Sequence, residues 1–72
     1  MMHRYVVVVE RADKNYSAYA PDLPGCIATG DGIDETLANM RQAIALHLRG
    51  MREDGLAAPE PSATVGYVEV AQ

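Results

Sequence analysis

Seventy-two residues suffice for one domain, residues 1–72, and not for two. The formal net charge is −4, and the basic residues Arg4, Arg11, Lys14, Arg41, Arg49 and Arg52 are scattered rather than clustered. Phosphate neutralisation needs clustered Lys and Arg, so direct nucleic-acid binding is not expected, and the acidic balance suits a basic protein partner. Cys26 is the single cysteine, which excludes an internal disulfide and a cysteine-cluster metal site. His3 and His47 lack a partner at ligand spacing, so neither a metal nor a cofactor is expected.

In chain order, the first apolar run is Tyr5-Val6-Val7-Val8-Val9, stopped by Glu10 and Arg11. It is too short to cross a membrane and has no small-residue cleavage site. With an unpaired thiol besides, the cytoplasm is the expected compartment. Residues 5–10, built on the four β-branched valines Val6–Val9, predict a strand buried on both faces. The polar stretch Ala12-Asp13-Lys14-Asn15 predicts a hairpin turn into a second strand over residues 16–20, where Tyr16 and Tyr19 fall on opposite faces. Pro21-Asp22-Leu23-Pro24-Gly25 predicts a stiff loop with Pro24-Gly25 at the centre of a type II turn. Residues 26–29 predict a short third strand, broken by Gly30-Asp31-Gly32.

The helix carries the clearest pattern. Ile33, Leu37, Met40, Ile44, Leu48 and Met51 recur at helical spacing as one apolar stripe. Asp34 and Glu35 in the first turn, and Arg49 and Arg52 near the last, complement the helix dipole. Gly55 followed by Leu56 predicts a helix end with a left-handed glycine. Residues 57–62, with Pro59 and Pro61, predict an extended connector into a final strand over residues 65–70.

The predicted order is strand, strand, strand, helix, strand. One helix covers one sheet face, yet the first strand is apolar on both: Tyr5, Val7 and Val9 on one, Val6 and Val8 on the other. A domain of this size retains about 3–5 kcal/mol of net stability from its own core. Both facts predict that a second copy of the chain (a dimer or tetramer), a partner protein, or both cover the remaining face.

Tyr16-Ser17-Ala18-Tyr19-Ala20-Pro21-Asp22-Leu23-Pro24-Gly25-Cys26, then Gly30-Asp31 and the acidic start Asp34-Glu35, resembles the HicB-like antitoxin family. The acidic-glycine helix end and the segment Pro59-Glu60-Pro61-Ser62 are similar to it as well. The resemblance covers residues 5–70. It implies an α+β fold of partial ribonuclease-H-like type, β-β-β-α-β, with an antiparallel sheet and one helix on one face. It also implies a partner: a HicA-like toxin, a small messenger-RNA-cleaving protein whose catalytic surface the antitoxin covers. Two departures stand out. The chain ends at Gln72 without the C-terminal DNA-binding domain many members carry, so autorepression is not expected. Gly32 stands where the family usually has Thr or Ser, which weakens the helix cap by about a few tenths of a kcal/mol.

No catalytic residue is expected. Two-metal phosphoryl chemistry needs converging carboxylates with one on the first strand, whose interior has none. Cys26 has no base tied to it by any motif and reads as a buried thiol. Partner-binding candidates are Tyr16 and Tyr19, since tyrosine is favoured at interfaces, together with Asp22 and an exposed Leu23 on the rigid loop. Asp31, Asp34 and Glu35 complete the set as contacts for a basic partner. Pro21, Pro24, Gly25 and Cys26 are structural. The competing reading is a stand-alone or orphan interaction module with a different partner and no enzymatic activity.

Overall fold

The computed structural model describes residues 2–72. Three strands, β1 (Val8–Arg11), β2 (Tyr16–Tyr19) and β3 (Ile27–Gly30), precede one long helix, α1 (Ile33–Glu53). The strands pair antiparallel in the order β1-β2-β3. The expected α+β architecture of an antiparallel sheet with one helix is present.

The polar break after β1 closes as a hairpin, with the Ala12 amide donating to the Asn15 carbonyl at 2.8 Å. In register, Val9, Ala18 and Ala28 form one row across the sheet, and Val8, Tyr19 and Ile27 form the next. Successive residues point to opposite faces, so these rows lie on opposite sides. The helix covers the first. Ala18, Ala20, Leu23, Cys26 and Met40 form the buried centre, with Tyr5, Val7, Val9, Ala28, Ala43, Ile44 and Leu48 packed around it.

β1 is shorter than the apolar run that contains it. Residues 5–7 sit outside the ladder. The reason lies in the neighbouring strand. After Tyr19, Ala20 turns inward: its carbonyl accepts from Leu23 N–H at 3.0 Å, and its amide donates to Cys26 at 3.4 Å. Pro21 has no N–H to offer. The chain beside residues 5–7 has therefore bent away into the loop.

That loop consists of two successive turns. The second has Leu23 and Cys26 at its ends, joined by a Cys26 N–H to Leu23 carbonyl bond of 3.0 Å, with Pro24-Gly25 between. Gly25 has a φ of 84°, as a type II turn requires. The turns tuck Leu23 inward, where it is 1% exposed. The expectation of an exposed Leu23 is overturned: the Pro-bounded loop delivers this side chain to the core.

The start of α1 departs from the expected stripe. Ile33 and Leu37 are exposed, and the first-turn residue facing the sheet is Thr36, fully buried. Its hydroxyl donates to the Gly32 carbonyl at 2.7 Å, so burial leaves no polar atom unpaired. The helix start and β3 approach closely here. A Cβ on Gly30 would meet the Thr36 Oγ1 at 2.6 Å and the Thr36 amide at 2.8 Å. Gly32 is the N-cap with extended backbone and no side-chain cap, and the Glu35 carboxylate accepts from the Asp31 amide. At the other end Gly55 has a φ of 77°, and the Leu56 and Gly55 amides donate to Met51 and Arg52 at 2.8 and 3.0 Å. This is a Schellman closure around the predicted glycine.

The final strand expected over residues 65–70 is absent. Residues 57–72 carry no regular secondary structure, and Val65, Tyr67, Val68 and Val70 are between 57% and 93% exposed. A strand exists by pairing, and among the described residues no strand of this chain pairs with this segment. The first half of the tail is nonetheless tied down. Tyr5 Oη donates to the Pro59 carbonyl at 2.6 Å. The Asp22 carboxylate accepts from the Ser62 amide (3.0 Å), the Ser62 hydroxyl (2.8 Å) and the Ala63 amide (3.2 Å).

Candidate partner-binding face

With α1 on one side, the other side of the sheet is left without a covering element. Its central row is apolar: Val8, Tyr19 and Ile27 stand side by side across all three strands. Tyr19 is 42% exposed and Ile27 68%. The adjoining row is polar, with Glu10 opposite Ser17 and Ser17 opposite Thr29. An apolar row beside a polar one has the composition of an interface centre and its rim. Ile27 was not among the residues expected to bind. The signal was available in the alternation of residues 26–29, where Cys26 and Ala28 face the helix and Ile27 must face away.

The two tyrosines separate as the strand period requires. Tyr19 belongs to the open face, while Tyr16 is half-buried on the helix side, opposite Arg11 and Gly30. Asp22 is taken up within the chain. Hydrogen bonds from Ser62 and Ala63 hold its carboxyl below the usual carboxylate range, so its charge already has partners. Pro21, Pro24, Gly25 and Cys26 occupy the structural turn expected of them.

Asp31, Asp34 and Glu35 are all exposed at the β3–α1 junction. Among the described residues the ion pair present is Arg49–Glu53 at 3.5 Å, on the exposed flank of α1, and no base pairs with this acidic corner. The Asn39 side chain donates to the Thr29 carbonyl at 2.8 Å, fixing the helix against β3 beside it.

Reactive groups are not assembled. Cys26 is buried and burial raises its thiol pKa, the opposite of an activated nucleophile. It shares a shallow depression with His47, but no hydrogen bond joins them among the described residues. No His, Cys, Asp or Glu cluster of metal-binding geometry occurs among those residues. No described helix is long and apolar enough to cross a membrane.

These features define a class: a small α+β domain in which one helix backs a three-stranded antiparallel sheet and the sheet's other face stays open. The chain belongs to the HicB-like antitoxin family, described as the HicB_like antitoxin of bacterial toxin-antitoxin systems, whose profile matches residues 5–71. It is 33% identical over 64 residues to a 14.9 kDa protein from the rep-hol intergenic region of Haemophilus phage HP1, covering 89% of this chain and 48% of that protein. The chain thus spans about half the length of this relative. A UPF0150 protein of Helicobacter pylori is 32% identical over 65 residues, covering 89% of this chain and 90% of that one. Among solved structures, a chain of a HicA3 and HicB3 toxin-antitoxin complex superposes with a TM-score of 0.70 at 23% identity. That match covers 83% of this chain and 70% of the other, and it bears out the fold.

Proposed function

We propose that this chain is an antitoxin that binds a small, basic, HicA-like RNA-cleaving toxin and neutralises it by covering the toxin's active site, without chemistry of its own. Membership of the HicB-like family across nearly the whole chain is the observation that carries this reading. The open sheet face supports it. Val8, Tyr19 and Ile27 supply the apolar centre, and Asp31, Asp34 and Glu35 supply negative charge that no base pairs with among the described residues. Leu23 has no part in the contact because it is buried. Charge of this kind raises the association rate more than it deepens affinity, so the rate should fall as salt rises. We place the complex in the cytoplasm, where an RNA-cleaving toxin acts.

The test is co-expression with the small reading frame beside this gene, followed by pull-down and a growth assay. Growth arrest by the neighbour alone, relieved by this chain in a stable complex, is the expected result. No toxicity and no complex would favour the orphan or stand-alone interaction module instead.

A further inference from the structure

Two segments of this chain are apolar and without secondary structure at once. Residues 5–7 precede β1 but have lost their neighbour to the loop at Ala20, and beyond Val65 the tail is exposed over residues 66–70. No backbone hydrogen bond reaches either segment among the described residues. A groove runs between residues 4–7 and 63–65 of the same chain.

We propose that residues 65–70 of one copy add as a strand to the edge at residues 5–7 of a second copy, and reciprocally, giving a strand-exchanged dimer.

Four observations carry this. First, the tail cannot wander freely: Tyr5 holds Pro59, and Asp22 holds Ser62 and Ala63, so its direction of departure is set just before the apolar segment begins. The longest dimension of the molecule is 49 Å against 26 and 19 Å for the others, as an outstretched arm requires. Second, four large apolar side chains of the tail are exposed, a surface that favours burial. Third, a free edge of unpaired amides and carbonyls accepts an added strand, and such pairing supplies main-chain hydrogen bonds to both segments together. Fourth, Arg4 is an exposed base at the groove and Glu69 an exposed acid on the tail, neither paired within its own chain among the described residues. A two-fold arrangement satisfies both copies by one contact, because the residue that gives on one copy receives on the other. This occupant suits the edge better than a foreign strand does, since the same chain supplies the arm and the place for it. The exchange occupies the β1 edge, not the row of Val8, Tyr19 and Ile27, and stands whether or not the antitoxin reading does.

Light scattering over a range of concentrations, with amide hydrogen exchange on the same samples, tests the proposal. The full chain should have twice the chain mass and slow exchange in residues 5–7 and 65–70 together. Val68→Pro removes an amide and Val68→Asp charges the segment, at a site far from the core. Each should weaken dimerisation at least about ten-fold while the helical circular dichroism persists. Arg4→Glu and Glu69→Arg should each weaken the dimer, and the combined variant should recover it. A monomer at every concentration would overturn the proposal, as would a dimer untouched by both Val68 variants. Slow exchange in a monomer would show the tail folded onto its own chain and overturn it equally. A double charge variant no tighter than the singles would overturn the placement of the tail on this edge.

Discussion

On the helix side of the sheet the central residues of β2 and β3 are alanines, whereas on the other side the same two strands present Tyr19 and Ile27. Small residues let α1 approach closely enough for Met40 and Leu23 to fill the space, so the covered face is closed by volume supplied from outside the strands. The open face carries its volume in the strands themselves and has nothing above it. Side chains that hold the fold together therefore come from the loop and helix. Those that make the apolar centre of the open face come from the sheet.

The comparison breaks most easily at Leu23. Leu23→Ala removes a side chain that is 1% exposed and should cost about 2–5 kcal/mol, comparable to the whole stability of a domain this small. Urea denaturation should find the variant largely unfolded. Next in size is Gly30→Ala, where the new Cβ collides with Thr36 as β3 meets the helix; about 1–3 kcal/mol should be lost. Gly32→Ser, two residues on, meets nothing within 4 Å and supplies the missing cap. It should raise stability by a few tenths of a kcal/mol, roughly the usual difference between glycine and serine at an N-cap. Similar losses at both glycines would refute the close approach at Gly30.

On the open face the pattern should invert. Ile27→Lys ought to change the unfolding free energy read from urea denaturation by no more than about 0.5 kcal/mol, since the side chain is 68% exposed. The toxin complex, measured by surface plasmon resonance, should dissociate at least about ten-fold faster. A destabilised Ile27→Lys chain would mean that this face is already buried, for example against another copy.

The smallest effect belongs to the strap between loop and tail. Because hydrogen bonds lower the carboxyl pKa of folded Asp22, the folded state prefers its ionised form. The contribution is fully present above the unfolded value of about 3.9 and is lost as pH falls through the lower folded value. Amide resonances of Ser62 and Ala63 should follow that titration while the helix signal holds. Amides indifferent to acid would show that the strap does not form in solution.

Local chemistry was legible where a few neighbouring residues decide the outcome. Tyr16 and Tyr19 fell on opposite faces because the strand period allows nothing else, and Pro24-Gly25 made its turn because φ is limited by sterics. Gly55 closed the helix for the same reason. The family followed from the loop and helix-start pattern. Of the candidate contacts, Tyr19, Asp31, Asp34 and Glu35 are exposed.

The remaining outcomes depended on partners distant in sequence. Leu23 looked exposed because it sits between prolines in a loop, but two turns aim it at a core that only α1 completes. Thr36 replaced Ile33 and Leu37 at the sheet because Gly30 admits the helix start closely, a fact of two elements meeting and not of either alone. Residues 5–7 and 65–70 have strand composition without strand structure, since a strand needs a hydrogen-bonded neighbour and among the described residues neither segment has one. Composition and period thus determined which residues could turn, coil or alternate. Tertiary contact decided which were buried and which edges stayed unpaired, because burial and pairing are properties of two surfaces at once.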